Sequence, residues 1–364
     1  MARMSTLGER THGRDNNFNL VRLLAAGLVL VSHSWPLTGT PGEPFERFAD
    51  FSLGHLGVDI FFVVSGFLVT GSLLARDSLP AFLRARSLRI FPALAVSAFG
   101  TAFLIGPLAT QLPLARYFAS WDTWRYALQN STTWPWGVCW WLPGVFLQNV
   151  GGPAVNGALW SLPWELTMYA MLVVLGALAL RARPLLSRPS LRNVIVLLAI
   201  VATIGHGLNE GLDWTRTFAI VQGPRLVALF FTAGSLQLLR DRIPLTWPLA
   251  LAALVSLTAV LWTKGFALAL YPLALSYLIL WLALVPGGVL RRYNRLGDYS
   301  YGFYLWQFPI QQFFVAGHPG ISQPHLLALS LPMALGFAVV SWHLVEAPAL
   351  ARKDRAPARA RAVR

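Results

Sequence analysis

Two side chains in one apolar stretch carry the residue types for proton or anion chemistry: Arg22 and His33, both within Asn19–Leu37. Their spacing of 11 residues is about three turns of a 3.6-residue helix, so both face one side, about 16 Å apart along the axis. An imidazole titrates closest to neutrality and suits a general base, while a guanidinium fork suits phosphate. The plainer alternative is that Arg22 reaches out to lipid headgroups and His33 ends the helix. Asp59 opens a second apolar stretch, where a carboxylate favours a helix N-terminus. Ser65 and Gly66 in the same stretch allow close helix packing. Glu165 follows Trp160-Ser161-Leu162-Pro163-Trp164, and a carboxylate inside a bilayer must be paired or protonated. Arg225, behind Gly223-Pro224, is expected at a comparable depth. A structural Glu165–Arg225 pair and a Glu165 that orients or deprotonates a reacting group are both open. The expected depth of Glu165 is that of His33.

A second set lies towards the opposite end. Arg84, Arg86 and Arg89 precede an apolar run, and Arg86 and Arg89, three residues apart, would present both guanidinium groups to one anion; a basic flank accounts for them equally well. His343 and Glu346 stand one turn apart near the end of the last apolar run, ahead of Pro348. Tyr301, Tyr304 and Gln307 are placed to line a cavity or to bond between helices.

The elements that must position these groups are membrane spans. The chain has 364 residues, 55% hydrophobic and 12% charged, about half the charged fraction usual in soluble proteins. A helix needs about 20 apolar residues to cross the hydrocarbon core. Ten segments qualify: Asn19–Leu37, Val58–Leu74, Ser87–Leu108, Ala158–Leu180, Asn193–Leu208, Thr217–Leu239, Thr246–Trp262, Gly265–Val285, Gly297–Ala316 and Pro324–Val345. The net charge of +14 would suggest nucleic acid in a soluble protein. Here 22 of the 29 basic residues fall on one set of connections and 5 on the other, with Arg22 and Arg225 inside spans. By the positive-inside bias this places both termini in the cytoplasm and excludes a nucleic-acid surface.

The fold expected is therefore all-α, a polytopic bundle of about ten transmembrane helices. Its parts are a cytoplasmic segment 1–18, a membrane domain 19–350 and a basic tail 351–364. No apolar stretch ahead of a cleavage site precedes the first span, so that span is expected to be retained. A Trp-rich outer connection, about 109–157, suits an interfacial or re-entrant segment, and Asn130-Ser131-Thr132 within it fits a sequon that carries no weight alone. Cys139 is the single cysteine, which excludes an internal disulfide and a cysteine metal site; no metal is expected. Spacing leaves two polar layers, an inner one of Arg22, Arg86 and Arg89 and an outer one of His33, Asp59 and Glu165. Ionisable groups inside a membrane are functional candidates by default. Such layers suit a protein that takes an anionic donor from the cytoplasm and acts outside. They also suit a multi-span glycan or small-solute transporter without acyl transfer.

The ordered motifs add a resemblance. Asn19-Leu20-Val21-Arg22 with His33, Gly57-Val58-Asp59-Ile60-Phe61-Phe62-Val63-Val64-Ser65-Gly66-Phe67-Leu68, and Arg86-Ser87-Leu88-Arg89-Ile90-Phe91-Pro92 come first. Leu159-Trp160-Ser161-Leu162-Pro163-Trp164-Glu165 with Tyr169, Ser300-Tyr301-Gly302-Phe303-Tyr304-Leu305-Trp306, and Glu346-Ala347-Pro348 follow. Together they resemble the acyltransferase-3 family of integral-membrane carbohydrate O-acyltransferases, and most closely its stand-alone exopolysaccharide (xanthan-type) acetyltransferases. Gln307 stands where many members have His. The resemblance implies an acyl group, most often acetyl from acetyl-CoA as donor substrate with no bound cofactor. The acceptor it implies is a sugar hydroxyl of a lipid-linked repeat unit, exopolysaccharide or other surface glycan, at the bacterial inner membrane. His33 would act as general base or carry the acyl group, aided by Glu165 or Asp59, with Arg22, Arg86 and Arg89 on the CoA phosphates. Ser65, Trp160, Ser161, Arg225, Tyr301, Tyr304 and Gln307 would support the site or line the acceptor cavity. Partners would be acyl-CoA, glycan and membrane lipid; oligomeric state is open.

Overall fold

The computed structural model describes residues 5–11, 13, 15–46, 52–75, 78–133, 137–181, 188–212, 218–263 and 265–353. Outside them lie most of the expected basic tail, Arg47, Arg76, Arg183 and Arg216, and Lys264, the expected break between the seventh and eighth segments. Each of the ten apolar segments is helical, because a chain in lipid must satisfy its backbone groups internally. The helices are α1 (Phe18–Leu37), α2 (Leu53–Leu74), α3 (Leu79–Gly100), α4 (Leu162–Arg181), α5 (Arg188–Leu212), α6 (Phe218–Leu238), α7 (Trp247–Thr263), α8 (Tyr271–Leu284), α9 (Ser300–Gly317) and α10 (Gln323–Ser341). Seven helical stretches among the described residues are long and apolar enough to cross a membrane, and Trp247–Thr263 is a shorter apolar helix. The protein is an all-α polytopic membrane bundle.

The chain divides into two compact units, Met1–Ala75 with Trp164–Ser300, and Arg76–Pro163 with Tyr301–Arg364. In the first, α2 is the central helix, with α1, α6 and α8 against it. Two glycines permit the close approach: a Cβ on Gly57 would lie 2.4 Å from the Ala25 carbonyl oxygen, and one on Gly66 would lie 2.1 Å from that of Phe230. Ser52 caps α2 by accepting from the His55 N–H, and the Ser52 N–H reaches back to the His55 ring. Packing sets the register of the antiparallel pair: Gly54 of α2 lies against Ser32 of α1, Gly57 against Ala25 and Val29, and Phe67 stacks on Phe18.

The second unit is built on α3, which begins at Leu79, eight residues ahead of the expected Ser87. Pro80 at its first turn and the Ser78 cap start it there. Arg84, Arg86 and Arg89 are therefore helical residues. A π turn, Thr101–Ile105, carries α3 on to Ala109, and a second, Trp342–Glu346, follows α10. The long connection between α3 and α4 holds the helices Leu114–Ala119 and Trp121–Asn130. Tyr117 and Tyr126 are buried within it, and the Tyr117 hydroxyl donates to the Ala102 carbonyl in the π turn at 2.7 Å. Asn130 is fully buried and exchanges two hydrogen bonds with the Cys139 backbone, which removes it as a glycosylation acceptor.

Candidate active site in the membrane

In the first unit the ionisable residues form three groups at different levels. Nearest the C-terminal end of α1 is His33, four residues before the helix ends at Leu37, so it does not cap the helix. Its Nδ1 is buried. Beside it, Ser32 donates to Glu43 Oε2 at 2.7 Å, and Glu43 Oε1 accepts from the Leu53 N–H at 2.8 Å. The carboxylate of Glu43 thus ties the start of α2 to the C-terminal half of α1. His55, in the first turn of α2, has His33 and Arg225 as electrostatic neighbours.

About 8 Å further along α2 (five residues past Gly54) lies Asp59, which is fully buried. Its Oδ2 accepts from Arg225 at 3.2 Å and from the Tyr271 hydroxyl at 2.7 Å. Arg225 also donates to Gln222 one turn earlier on α6. His206 of α5 is buried, has Arg225 as an electrostatic neighbour and Glu210 4.0 Å from its Nδ1. Buried charges persist only when paired and hydrogen-bonded; the network of Asp59, Arg225, Tyr271 and Gln222 pairs the two ions through Asp59 Oδ2, while Asp59 Oδ1 has no hydrogen-bond partner among the described residues.

The third group sits deeper. Glu165 Oε1 accepts from Ser65 at 2.9 Å and from Tyr169 at 2.5 Å. Ser65 lies 11 residues beyond Gly54, about 16 Å along α2 from the level of His33. Glu165 is therefore not at the depth of His33, and it does not pair with Arg225. There are two reasons: the first turn of α4, which carries Glu165, meets the middle of α2 at Ser65, and Arg225 pairs with Asp59 instead. Arg22 is also deep. It forms a 2.5 Å ion pair with Asp298 and lies over the Phe61 ring, 5.8 Å from its centre. Asp298 in turn accepts from the Ser300 hydroxyl at 2.5 Å. Arg22 is thus held inside the protein rather than extended to headgroups.

In the second unit Arg89 pairs with Glu346 at 3.4 Å and lies over the Tyr301 ring. Ser341 also donates to Glu346, at 3.0 Å. Arg86 shares this helix, its Nε buried. The Tyr301 hydroxyl donates to the Ile90 carbonyl, which anchors α9 to α3. Ser161 and Tyr304 share a hydrogen bond of 2.7 Å, and Tyr304 donates to the Ala158 carbonyl at 2.6 Å. Trp160 occupies the 3-10 turn between them, Gly157–Ser161. Gln307 is fully buried, and neither polar atom of its amide has a hydrogen-bond partner among the described residues.

Sequence reasoning missed Glu43, His55, His206, Tyr271 and Asp298. Local pattern could have flagged His55, three residues after Ser52, as a cap partner; the others are joined to the site by contacts across the fold. Among the described residues no three His, Cys, Asp or Glu side chains converge as a metal site requires. Chemically, the first unit offers an imidazole at the level of the C-terminal end of α1, then a paired guanidinium, then a carboxylate further along α2.

Comparison with known proteins agrees with the motifs. A family model described as an acyltransferase domain, Acyl_transf_3, matches residues 15–343, and the chain belongs to that family. It is 29% identical over 360 residues to a protein named O-acetyl transferase from Shigella phage Sf6, covering 94% of this chain and 98% of that one. It is also 29% identical over 386 residues to Nodulation protein 10 of Rhizobium leguminosarum bv. viciae, covering 95% and 96%. No solved structure matches.

Proposed function

Starting from membership of this acyltransferase family, we propose that the protein transfers acetyl from acetyl-CoA to a sugar hydroxyl. The acceptor is an exopolysaccharide or other surface glycan, carried as a lipid-linked repeat unit. The reaction takes place at the bacterial inner membrane, with both termini of the chain in the cytoplasm. The observation that carries this reading is the His33 side chain, held with a buried Nδ1 at the outer end of α1 beside His55 and Glu43, with a paired Arg22 on the same helix.

His33 takes the proton of the sugar hydroxyl as that oxygen bonds to the thioester carbonyl carbon. The carbon–sulfur bond then breaks, and CoA leaves with a proton as the thiol. Asp59 is bound to Arg225 and Tyr271 and so serves as an anchor for Arg225, not as a second base. Arg225, within electrostatic reach of His55 and His206, supplies positive charge near the acceptor. Glu165, deeper than His33, lines the route of the thioester with Ser65 and Tyr169. Arg22, which keeps donors beyond the one given to Asp298, contacts the donor; Arg86 and Arg89 carry the same proposed role in the second unit. Trp160, Ser161, Tyr301, Tyr304 and Gln307 are proposed to support the acceptor side.

The test compares surface polysaccharide from wild-type, deletion and His33→Ala strains by acetyl content. Loss in the deletion and in His33→Ala supports the reading. Equal content in all three refutes the enzyme assignment, and loss in the deletion alone refutes only the role of His33.

A further inference from the structure

The segment ahead of α1 is a strap across one end of the first unit. It is tied at both ends. The Leu7 N–H donates to Ile243 and the Leu245 N–H to Ser5, and Leu7 itself is buried. At the other end Asn17 bonds the carbonyls of Leu282, Ala283 and Pro286, and Arg291 pairs with Asp15. Between these ties lies a cavity of about 190 Å³. Thr11, Gly13 and Asn16 of the strap line one side; Phe67, Gly71, Gln237 and Arg240 of the helix ends line the other.

The lining has the chemistry of a site. Phe18, Phe67, Leu68 and Leu284 supply apolar walls, and polar groups share the lining with them about equally. The Gln237 side chain is 7% exposed, and its Oε1 has no hydrogen-bond partner among the described residues. A buried amide left in that state costs about 1–3 kcal/mol, which a ligand N–H would recover. Arg240 stands at the helix end in an ion pair with Asp241, 3.9 Å from its Nε, and both side chains are exposed, so water screens the pair and an arriving anion can compete for the guanidinium. Gly71 holds the space open: a Cβ there would lie 2.6 Å from Gln237 Nε2.

We propose that this strap-covered cavity seats the amide-bearing arm of the acyl donor, with Gln237 pairing an arm amide and Arg240 meeting a phosphate at the mouth. The proposal rests on acyl-CoA being the donor. Its geometry fits that class of ligand. The cavity reaches Phe67, which lies 13 residues along α2 from the level of His33, about 20 Å. A bulky nucleotide stays at the mouth, and a narrow flexible chain with amides along its length is the part that extends inward. None of the three arginines singled out from the sequence lines this cavity, so it is a separate donor contact.

The test uses purified full-length protein in detergent with acetyl-CoA and a glycan acceptor, reading CoA release. Gln237→Leu removes the amide at similar volume, and Gly71→Ala pushes it aside from a different helix. Each should raise the KM for acetyl-CoA roughly five- to tenfold, the worth of one buried hydrogen bond, and leave kcat and the acceptor KM within about twofold. Unchanged donor KM in variants that remain monodisperse overturns the proposal. A second measurement needs no variant: a diazirine on the pantetheine arm of an acetyl-CoA analogue should crosslink wild-type protein in peptides containing Thr11–Asn16 or Gln237. Crosslinking confined to other peptides overturns it. A wild-type protein that neither releases CoA nor crosslinks refutes the donor assignment and this proposal with it. CoA release with an unchanged donor KM in the variants refutes this proposal alone.

Discussion

Asp59 and Arg225 give the sharpest test of how the first unit is held together. Their side chains are 0% and 10% exposed and bonded at 3.2 Å, so solvent screening gives little relief. Asp59→Asn removes the charge and leaves a guanidinium buried with Gln222 and a neutral amide. Breaking a buried pair from one side costs about 3–5 kcal/mol, because the remaining ion has no counter-charge. Tyr271→Phe removes only the 2.7 Å hydrogen bond to the same carboxylate, worth about 0.6–1.7 kcal/mol inside a membrane protein. Replacing both ions, Asp59→Asn with Arg225→Gln, leaves two neutral amides in the same space. The double variant should therefore be more stable than Asp59→Asn alone, with a coupling of about 2–3 kcal/mol. Reversible unfolding in mixed micelles of rising SDS fraction measures all five proteins: wild type, Asp59→Asn, Arg225→Gln, their double variant and Tyr271→Phe. A double variant no more stable than Asp59→Asn, or a Tyr271→Phe loss as large as that of Asp59→Asn, would refute the ion-pair reasoning.

Gly66→Ala should abolish stable assembly or lower the unfolding midpoint sharply, since its Cβ meets the Phe230 backbone oxygen at 2.1 Å and backbone cannot step aside as a side chain can; Gly27→Ala, with nothing within 4 Å, is the matched control and should be silent by the same assay. Burial pushes the Cys139 thiol up from its ordinary value, so the reactive thiolate is scarce at neutral pH. Maleimide labelling followed by mass spectrometry should be slower than for free cysteine at pH 7 and should accelerate as pH rises towards 9; labelling at pH 7 as fast as free cysteine would contradict this. Glu165→Gln keeps an acceptor oxygen for Ser65 and Tyr169 and should retain the fold, while Glu165→Leu leaves both hydroxyls without it and should cost about 1–3 kcal/mol; equal unfolding midpoints for the two would show that these hydrogen bonds carry no stability.

Arg22 and His33 share a helix face because their separation is close to a whole number of turns, and a helix is obligatory where lipid offers no hydrogen bonds. The same rule makes every one of the ten apolar segments helical, so element type was readable from local composition. Boundaries were less so. The start of α3 at Leu79 depends on a serine cap and a proline among charged residues, where hydropathy is weak, and the π turns at Thr101–Ile105 and Trp342–Glu346 leave no apolar signature.

Pairing was not readable at all. Glu165 had the same local surroundings whether its partner was to be Arg225 or Ser65 and Tyr169. The choice was made by which rows of α2, α4 and α6 face one another, and Gly57 and Gly66 set that register by letting backbones touch. Asp59 bonds residues 166 and 212 positions away, and no periodicity within one helix specifies which residue on another lies opposite. The amino-acid order was enough to establish helices, their apolar lengths and the faces that carry charge, because those follow from bonds within a few residues. The depth of Glu165, the counter-ions of Arg22 and Arg225, and the strap-covered cavity at Gln237 arise from contacts between distant segments, whose geometry exists only once the helices have packed.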